Sequence, residues 1–215
     1  MAVVGIVPAA GSGERLGASG PKAFAVCAGR PLIEWSLEVL AAVCDRVVVA
    51  VPPGYEDGCD RVTGGRHRSE SVRAALQAAP EATVAVVHDA ARPLLTRELV
   101  EGCIAAVRAG WDGAVAAAPM TDTVKEAGPD GRVLRTLDRS TLWAIQTPQA
   151  FAAETLRRAL DVPERALAAA TDDASLVEAA GGSVRVVEAP SENVKITWPG
   201  DLRAVEAVLL ARAAV

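Results

Sequence analysis

The sequence predicts an α/β three-layer sandwich built on a mostly parallel sheet. Three observations carry that reading: short Val-rich runs recur along the chain, segments of helical periodicity lie between them, and the first run opens directly into a glycine-rich loop. Short apolar runs bounded by Gly, Pro or Asp read as buried strands. Regular alternation of strand and helix places helices on both faces of a sheet and makes its strands mainly parallel. In such sheets, ligands are held by the loops that leave the carboxyl ends of the strands.

Strands are expected at Val3–Val7, Arg46–Val51, Val84–His88, Ala114–Ala118 and Ser183–Glu188. The first helix, Pro31–Val43, opens with Pro in its first turn and spaces Leu32, Trp35, Leu37 and Leu40 at roughly helical intervals. Ser69–Ala79 and Thr96–Ala109 follow, the second with Thr96 as N-cap and Gly110 just past its end. Thr171–Ala180 stops before Gly181, and Asp201–Ala213 is the last helix. Thr121–Trp143 breaks the alternation: polar-alternating runs flank Gly128-Pro129-Asp130-Gly131, a hairpin signal. A hairpin with so few apolar residues is marginal alone. It is therefore expected to be a β-arm inserted within a single domain, 1–215, and to pack against a second subunit in a homodimer.

A chain of 215 residues buries roughly 70% of its unfolded surface when compact. The apolar fraction is 51% but aromatics are 3%, so Ala, Val, Leu and Ile must fill the core. A net charge of −5 argues against a nucleic-acid partner, and one Tyr and two Phe leave little for a base-stacking platform. No apolar run approaches the ~20 residues of a membrane span, so no membrane partner is expected. The apolar start lacks a basic leader and reads as a strand. Cys27, Cys44, Cys59 and Cys103 are widely spaced and read as reduced thiols in the cytoplasm.

The chemistry is concentrated after the first strand, in Pro8-Ala-Ala-Gly-Ser-Gly-Glu-Arg15-Leu-Gly-Ala-Ser-Gly-Pro21-Lys22. Small residues let backbone N–H groups approach a phosphate chain, and Arg15 and Lys22 add two cations. Attack on the α-phosphorus of a triphosphate builds negative charge that preorganised cations stabilise. The Walker pattern is absent, because Lys22 lies between Pro21 and Ala23. The dinucleotide pattern fails as well: Leu16 occupies the third glycine position, and the acidic residue about 20 positions on, Glu34, lies in a helical segment. Ala-Ala-Gly-x-Gly-x-Arg followed by Pro-Lys fits the nucleotidyltransferase template. The glycines taken alone also fit a tight strand-to-helix turn.

Asp89 follows a strand, where a carboxylate suits Mg²⁺, a substrate hydroxyl or a loop cap. Arg92 is placed either to pair with Asp89 or to meet substrate. His88, one of two histidines, reads as a packed, hydrogen-bonded ring rather than a catalytic base. No His/Cys cluster suggests zinc and no Gly-x-Ser-x-Gly elbow suggests a serine hydrolase.

Four further stretches sharpen the reading: Gly64-Gly65-x-x-Arg68-x-x-Ser71-Val72; His88-Asp89-Ala90-Ala91-Arg92-Pro93; Asp138-Arg139-x-x-Leu142-Trp143 with Thr147-Pro148-Gln149; and Asn193-Val194-Lys195-Ile196-Thr197. With the first loop they run through nearly the whole chain, and together they resemble the 2-C-methyl-D-erythritol 4-phosphate cytidylyltransferase family of the non-mevalonate isoprenoid pathway. The resemblance implies a Rossmann-like sandwich of nucleotidyltransferase type and attack of a sugar-alcohol phosphate on CTP, with Mg²⁺ on the triphosphate. It implies Arg15 and Lys22 as transition-state stabilisers, and Ala9, Ala10, Gly11, Gly65 and Ser71 around the nucleotide. Lys195 and Arg139 would orient the acceptor, Arg139 and Thr123 reaching in from the partner subunit, with Asp89, Arg92 and Thr147 beside it. Ala23 and Arg66 depart from the family pattern, and no cyclase-like second domain is expected after Val215. Rival readings are a ribitol 5-phosphate cytidylyltransferase, an NAD-dependent oxidoreductase and a nucleotide sensor without turnover.

Overall fold

The computed structural model describes residues 1–13, 16, 20–58 and 60–213. Strand β1 (Ala2–Pro8) leads into the glycine-rich loop. A small ribbon of β2 (Val26–Cys27) and β3 (Arg30–Pro31) precedes α1 (Leu32–Val43). Next come β4 (Arg46–Val51), β5 (Arg61–Thr63), α2 (Arg68–Gln77), β6 (Ala82–Val87), α3 (Arg97–Arg108) and β7 (Gly113–Pro119). The hairpin of β8 (Lys125–Ala127) and β9 (Val133–Thr136) is followed by β10 (Trp143–Ala152), α4 (Ala153–Leu160), α5 (Glu164–Ala169), α6 (Asp173–Ala179), β11 (Val184–Glu188) and α7 (Pro199–Ala213).

The central sheet has seven strands in the order β11-β7-β10-β6-β1-β4-β5. Pairings are parallel except along β10, which is antiparallel to both β6 and β7. Side chains alternate across each strand, so β1 sends Val3 and Val7 to a core under α1 and α3. Val4 and Ile6 go to the opposite core, under α2, α4, α5 and α6. Both faces are covered, which is why the strands read as continuous apolar runs rather than alternating ones. Each fully buried Val, Leu or Ile contributes roughly 1.5–3 kcal/mol to that arrangement. A third, smaller cluster places Leu16, Cys27, Leu32, Leu94 and Ile196 against Val205 and Leu209 of α7. Cys27, Cys44 and Cys103 are free and buried, as expected, while Cys59 lies outside the described residues.

The five expected strands and five expected helices are all present, within a few residues of their anticipated limits. The hairpin turns at Gly128–Gly131, where the Gly128 N–H donates to the Arg132 carbonyl and Gly131 has φ +80°. The short strands β2, β3 and β5 are unanticipated, and so is β10, which carries the chain from the hairpin back into the middle of the sheet. Pro148 discourages a strand reading there, because Pro lacks a ladder donor. The structure accommodates it at an irregularity: Ile145 faces Ala117 while Gln149 faces Val115, so β10 gains two residues on β7 around Pro148.

Candidate functional site

Parallel pairing brings the carboxyl ends of β1, β4 and β6 to one edge of the sheet, and a cleft of about 540 Å³ opens there. Its walls come from the loop after β1, the approach to α2, the segment after β6 and the segment before α7. Each wall is fixed by backbone pairing. The Ala9 N–H donates to the Ala50 carbonyl (2.7 Å), the Gly64 N–H to Val51 (2.7 Å), and the His88 N–H to Ile6 (2.9 Å).

The loop after β1 folds back on itself, with the Lys22 N–H donating to the Gly11 carbonyl (3.2 Å). Gly13 makes this possible in two ways. Its φ is +77°, and a Cβ there would lie 2.8 Å from the Lys22 Cβ. Lys22 thereby joins Ala9, Ala10 and Gly11 in the cleft wall. Asp201, at the start of α7, accepts from the Trp198 and Thr197 N–H groups, which hold its carboxyl below the ordinary range, with Lys22 adding to the effect. Arg15 lies outside the described residues.

Opposite, Gly64 packs so closely that a Cβ would meet the Ala10 Cβ at 2.6 Å and the Ser71 Oγ at 2.9 Å. Ser71 Oγ accepts the Gly65 N–H (3.1 Å), and both line the cleft. The first turn of α2 therefore points at the same space as the β1 loop, a favourable setting for phosphate.

Asp89 is 8% exposed and stands at the centre. Arg68 Nε donates to its Oδ1 (2.8 Å), and Lys195 Nζ to its Oδ2 (2.6 Å). Burial pushes the Asp89 carboxyl up, but Arg68 and Lys195 outweigh it and hold the group well below the usual carboxylate range. Lys195 projects from an extended segment whose neighbours anchor it. Asn193 is buried and its Nδ2 donates to Gln146 Oε1 (2.7 Å) and the Thr147 carbonyl (3.0 Å); Ile196 is buried and its N–H donates to Ala91 (2.8 Å).

The structure thus brings Ala9, Ala10, Gly11, Lys22, Gly65, Ser71, Asp89 and Lys195 to one cleft. Arg92 and Thr147 lie behind it and brace it. Thr147 Oγ1 accepts the Asp89 N–H (3.0 Å), and Arg92 Nη1 donates to the Asn193 carbonyl (2.7 Å). The guanidinium that pairs with Asp89 is that of Arg68, not of Arg92. Thr123 and Arg139 are exposed, on the arm, and do not line the cleft; Arg139 Nη1 donates to the Thr121 carbonyl. Sequence reasoning quoted Arg68 without a role and passed over Asp173. The signal was present in a charged residue at the first turn of a helix that enters the cleft.

As for a metal, Asp89 is the sole carboxylate among the described residues of the cleft wall. Among the described residues no three His, Cys, Asp or Glu side chains form a group able to hold an ion. Each Asp89 oxygen already accepts from one cation, so an ion ligated there would share the carboxylate with Arg68 and Lys195. The donor set suits an ion carried in on phosphate oxygens, not a resident metal. Among the described residues no helix is long and apolar enough to cross a membrane.

The family model described as IspD, 2-C-methyl-D-erythritol 4-phosphate cytidylyltransferase, matches residues 3–211. A Nocardia farcinica protein named 2-C-methyl-D-erythritol 4-phosphate cytidylyltransferase is 43% identical, covering 99% of this chain and 96% of that one. A Frankia casuarinae protein of the same name is also 43% identical, covering 96% and 81%. The crystal structure of 2-C-methyl-D-erythritol 4-phosphate cytidylyltransferase from Thermus thermophilus superposes with a TM-score of 0.82 at 36% identity, covering 99% and 100%. With these likenesses running the full length of the fold and through every wall of the cleft, the chain belongs to the 2-C-methyl-D-erythritol 4-phosphate cytidylyltransferase family.

Proposed function

We propose that this protein joins CTP and 2-C-methyl-D-erythritol 4-phosphate, giving 4-diphosphocytidyl-2-C-methyl-D-erythritol and pyrophosphate in isoprenoid precursor biosynthesis. The observation that carries the proposal is the placement of Lys22 and Lys195 in one cleft, in a chain of this family. A phosphate oxygen of the acceptor forms a bond to the α-phosphorus, the bond to the β-phosphate oxygen breaks, and pyrophosphate leaves with the electron pair. The acceptor phosphate is already ionised, so no general base is required.

Ala9, Ala10, Gly11, Gly65 and Ser71 supply the nucleotide wall, and Lys22 with Arg15 neutralises charge gathering on the triphosphate. Lys195, steadied by Asp89, binds the acceptor phosphate, and Arg92 and Thr147 brace that side. Mg²⁺ bound to the triphosphate would supply further charge neutralisation, and Asp89 is the side chain of the cleft wall that would help to hold it. Arg139 and Thr123 act at the cleft of a partner subunit in a homodimer. The arm favours this: Val133, Leu134, Trp143 and Ile145 are exposed apolar side chains on the hairpin and its return strand. A cytoplasmic setting accords with the free, buried thiols of Cys27, Cys44 and Cys103.

The test is pyrophosphate release by the purified protein with CTP, Mg²⁺ and either methylerythritol phosphate or ribitol 5-phosphate. Faster turnover of the first supports the assignment, as the names of the relatives suggest. Faster turnover of ribitol 5-phosphate would overturn it.

A further inference from the structure

Two charged residues beside Asp89, Arg68 and Asp173, have no part in the proposed chemistry. Asp173, the first residue of α6, is 0% exposed, and its Oδ2 accepts from Arg68 Nη1 at 2.6 Å. The same guanidinium meets Asp89 through Nε, and Asp89 meets Lys195. Four side chains from α2, the end of β6, α6 and the segment before α7 thus form one line, Asp173–Arg68–Asp89–Lys195, from the core to the cleft. Asp173 Oδ1 and Arg68 Nη2 are buried with no hydrogen-bond partner. A buried cluster of this kind is weak as a source of stability, since well-packed apolar side chains in its place are often neutral or better. Its geometry, however, is directional. A planar guanidinium with two donors pointing at two carboxylates fixes both, whereas a lysine ammonium is a single point that does not match that fork.

We propose that Asp173 and Arg68 are positioning residues: Asp173 fixes the Arg68 guanidinium, which holds one oxygen of Asp89 so that the other stays on Lys195. Without the anchor, Asp89 swings free and Lys195 loses its partner. Burial raises the Asp173 carboxyl above its ordinary value, and the Arg68 contact offsets only part of that rise. The inference rests on the cytidylyltransferase reading of the cleft only for its effect on the acceptor, so its test has a second readout.

The chain has three lysines, Lys22, Lys125 and Lys195, so acetylation of each is separately measurable by mass spectrometry. Lys125 donates to Thr136 on the hairpin and serves as the internal reference. In Asp173→Asn, acetylation of Lys195 relative to Lys125 is expected to speed up severalfold. The KM for the acceptor phosphate should rise by roughly tenfold while the KM for CTP stays put, the mark of lost acceptor binding. Arg68→Lys should reproduce both effects, and it stands in if Asp173→Asn does not fold, because Arg68 is partly exposed. An unchanged Lys195-to-Lys125 ratio in either folded variant overturns the positioning role. A shifted ratio with no turnover by the wild-type protein supports that role and overturns the substrate assignment instead.

Discussion

The hydroxyl of Thr147 and Nδ1 of His88 are 3.2 Å apart, and this contact fixes the protonation of the ring. Nε2 of His88 lies 3.2 Å from the Arg92 carbonyl, which can only accept, so Nε2 carries the proton and Nδ1 receives the Thr147 O–H. Thr147 in turn accepts the Asp89 N–H. The order of donors is therefore determined from end to end: Asp89 N–H to Thr147, Thr147 O–H to His88, His88 N–H to Arg92. Burial pushes His88 down to about 4, which leaves the ring neutral at ordinary pH and with a single proton to place.

Stability should therefore fall on acidification. The unfolded ring takes up a proton near pH 6.5, whereas the folded one resists until about 4. The contribution of His88 is complete above pH 6.5 and is lost as the pH falls towards 4. Thermal melts across that window should show a declining Tm. His88→Phe should flatten the decline and lower the Tm at pH 7.5, because Thr147 and Arg92 lose a buried partner, at a cost of roughly 1–3 kcal/mol. An equally steep decline in that variant would exclude His88 as its source.

Gly13→Ala should damage nucleotide binding more than the fold. Positive φ costs an L-residue roughly 1–2 kcal/mol, and the new Cβ would press on the Lys22 backbone. The expected result is a clearly raised KM for CTP with a Tm lower by roughly 2–8 °C. A CTP KM equal to that of the parent protein would mean that the loop does not touch the nucleotide.

Lys22→Ala should lower kcat by about 10²–10³-fold, the loss associated with one preorganised donor. Single-turnover measurement of pyrophosphate release separates this from product release. A rate within twofold of the parent would remove Lys22 from the chemistry.

Arg139→Ala should weaken use of the acceptor much more than binding of CTP, and shortening the hairpin between Lys125 and Thr136 should yield monomers. Sedimentation velocity reports the second effect, steady-state kinetics the first. Equal losses for both substrates, or dimers that survive the deletion, would contradict the role assigned to the arm.

Much of this was legible because apolar runs and glycine positions are local signals. Val3–Val7 could only be a buried strand, and Gly128–Gly131 could only be a turn between two polar strands. The segment from Trp143 onward was illegible for a physical reason: β10 owes its stability to neighbours on both sides, which override Pro148 and the polar Gln146, Thr147 and Gln149. Within the site, residue identity at motif positions anticipated eight residues of the cleft, but not which partner each charge would choose. Arg92 is near Asp89 in sequence, yet Arg68 reaches it from 21 residues away, since pairing is set by where elements converge.

The antiparallel course of β10 gives the molecule a mechanical connection. The strand leaves the arm at Trp143 and reaches Thr147 four residues later, a stretch of about 13 Å for extended chain. Thr147 holds the backbone of Asp89. Tension on the arm is therefore carried along β10, through its irregular stretch between Ile145 and Gln149, to the backbone of Asp89.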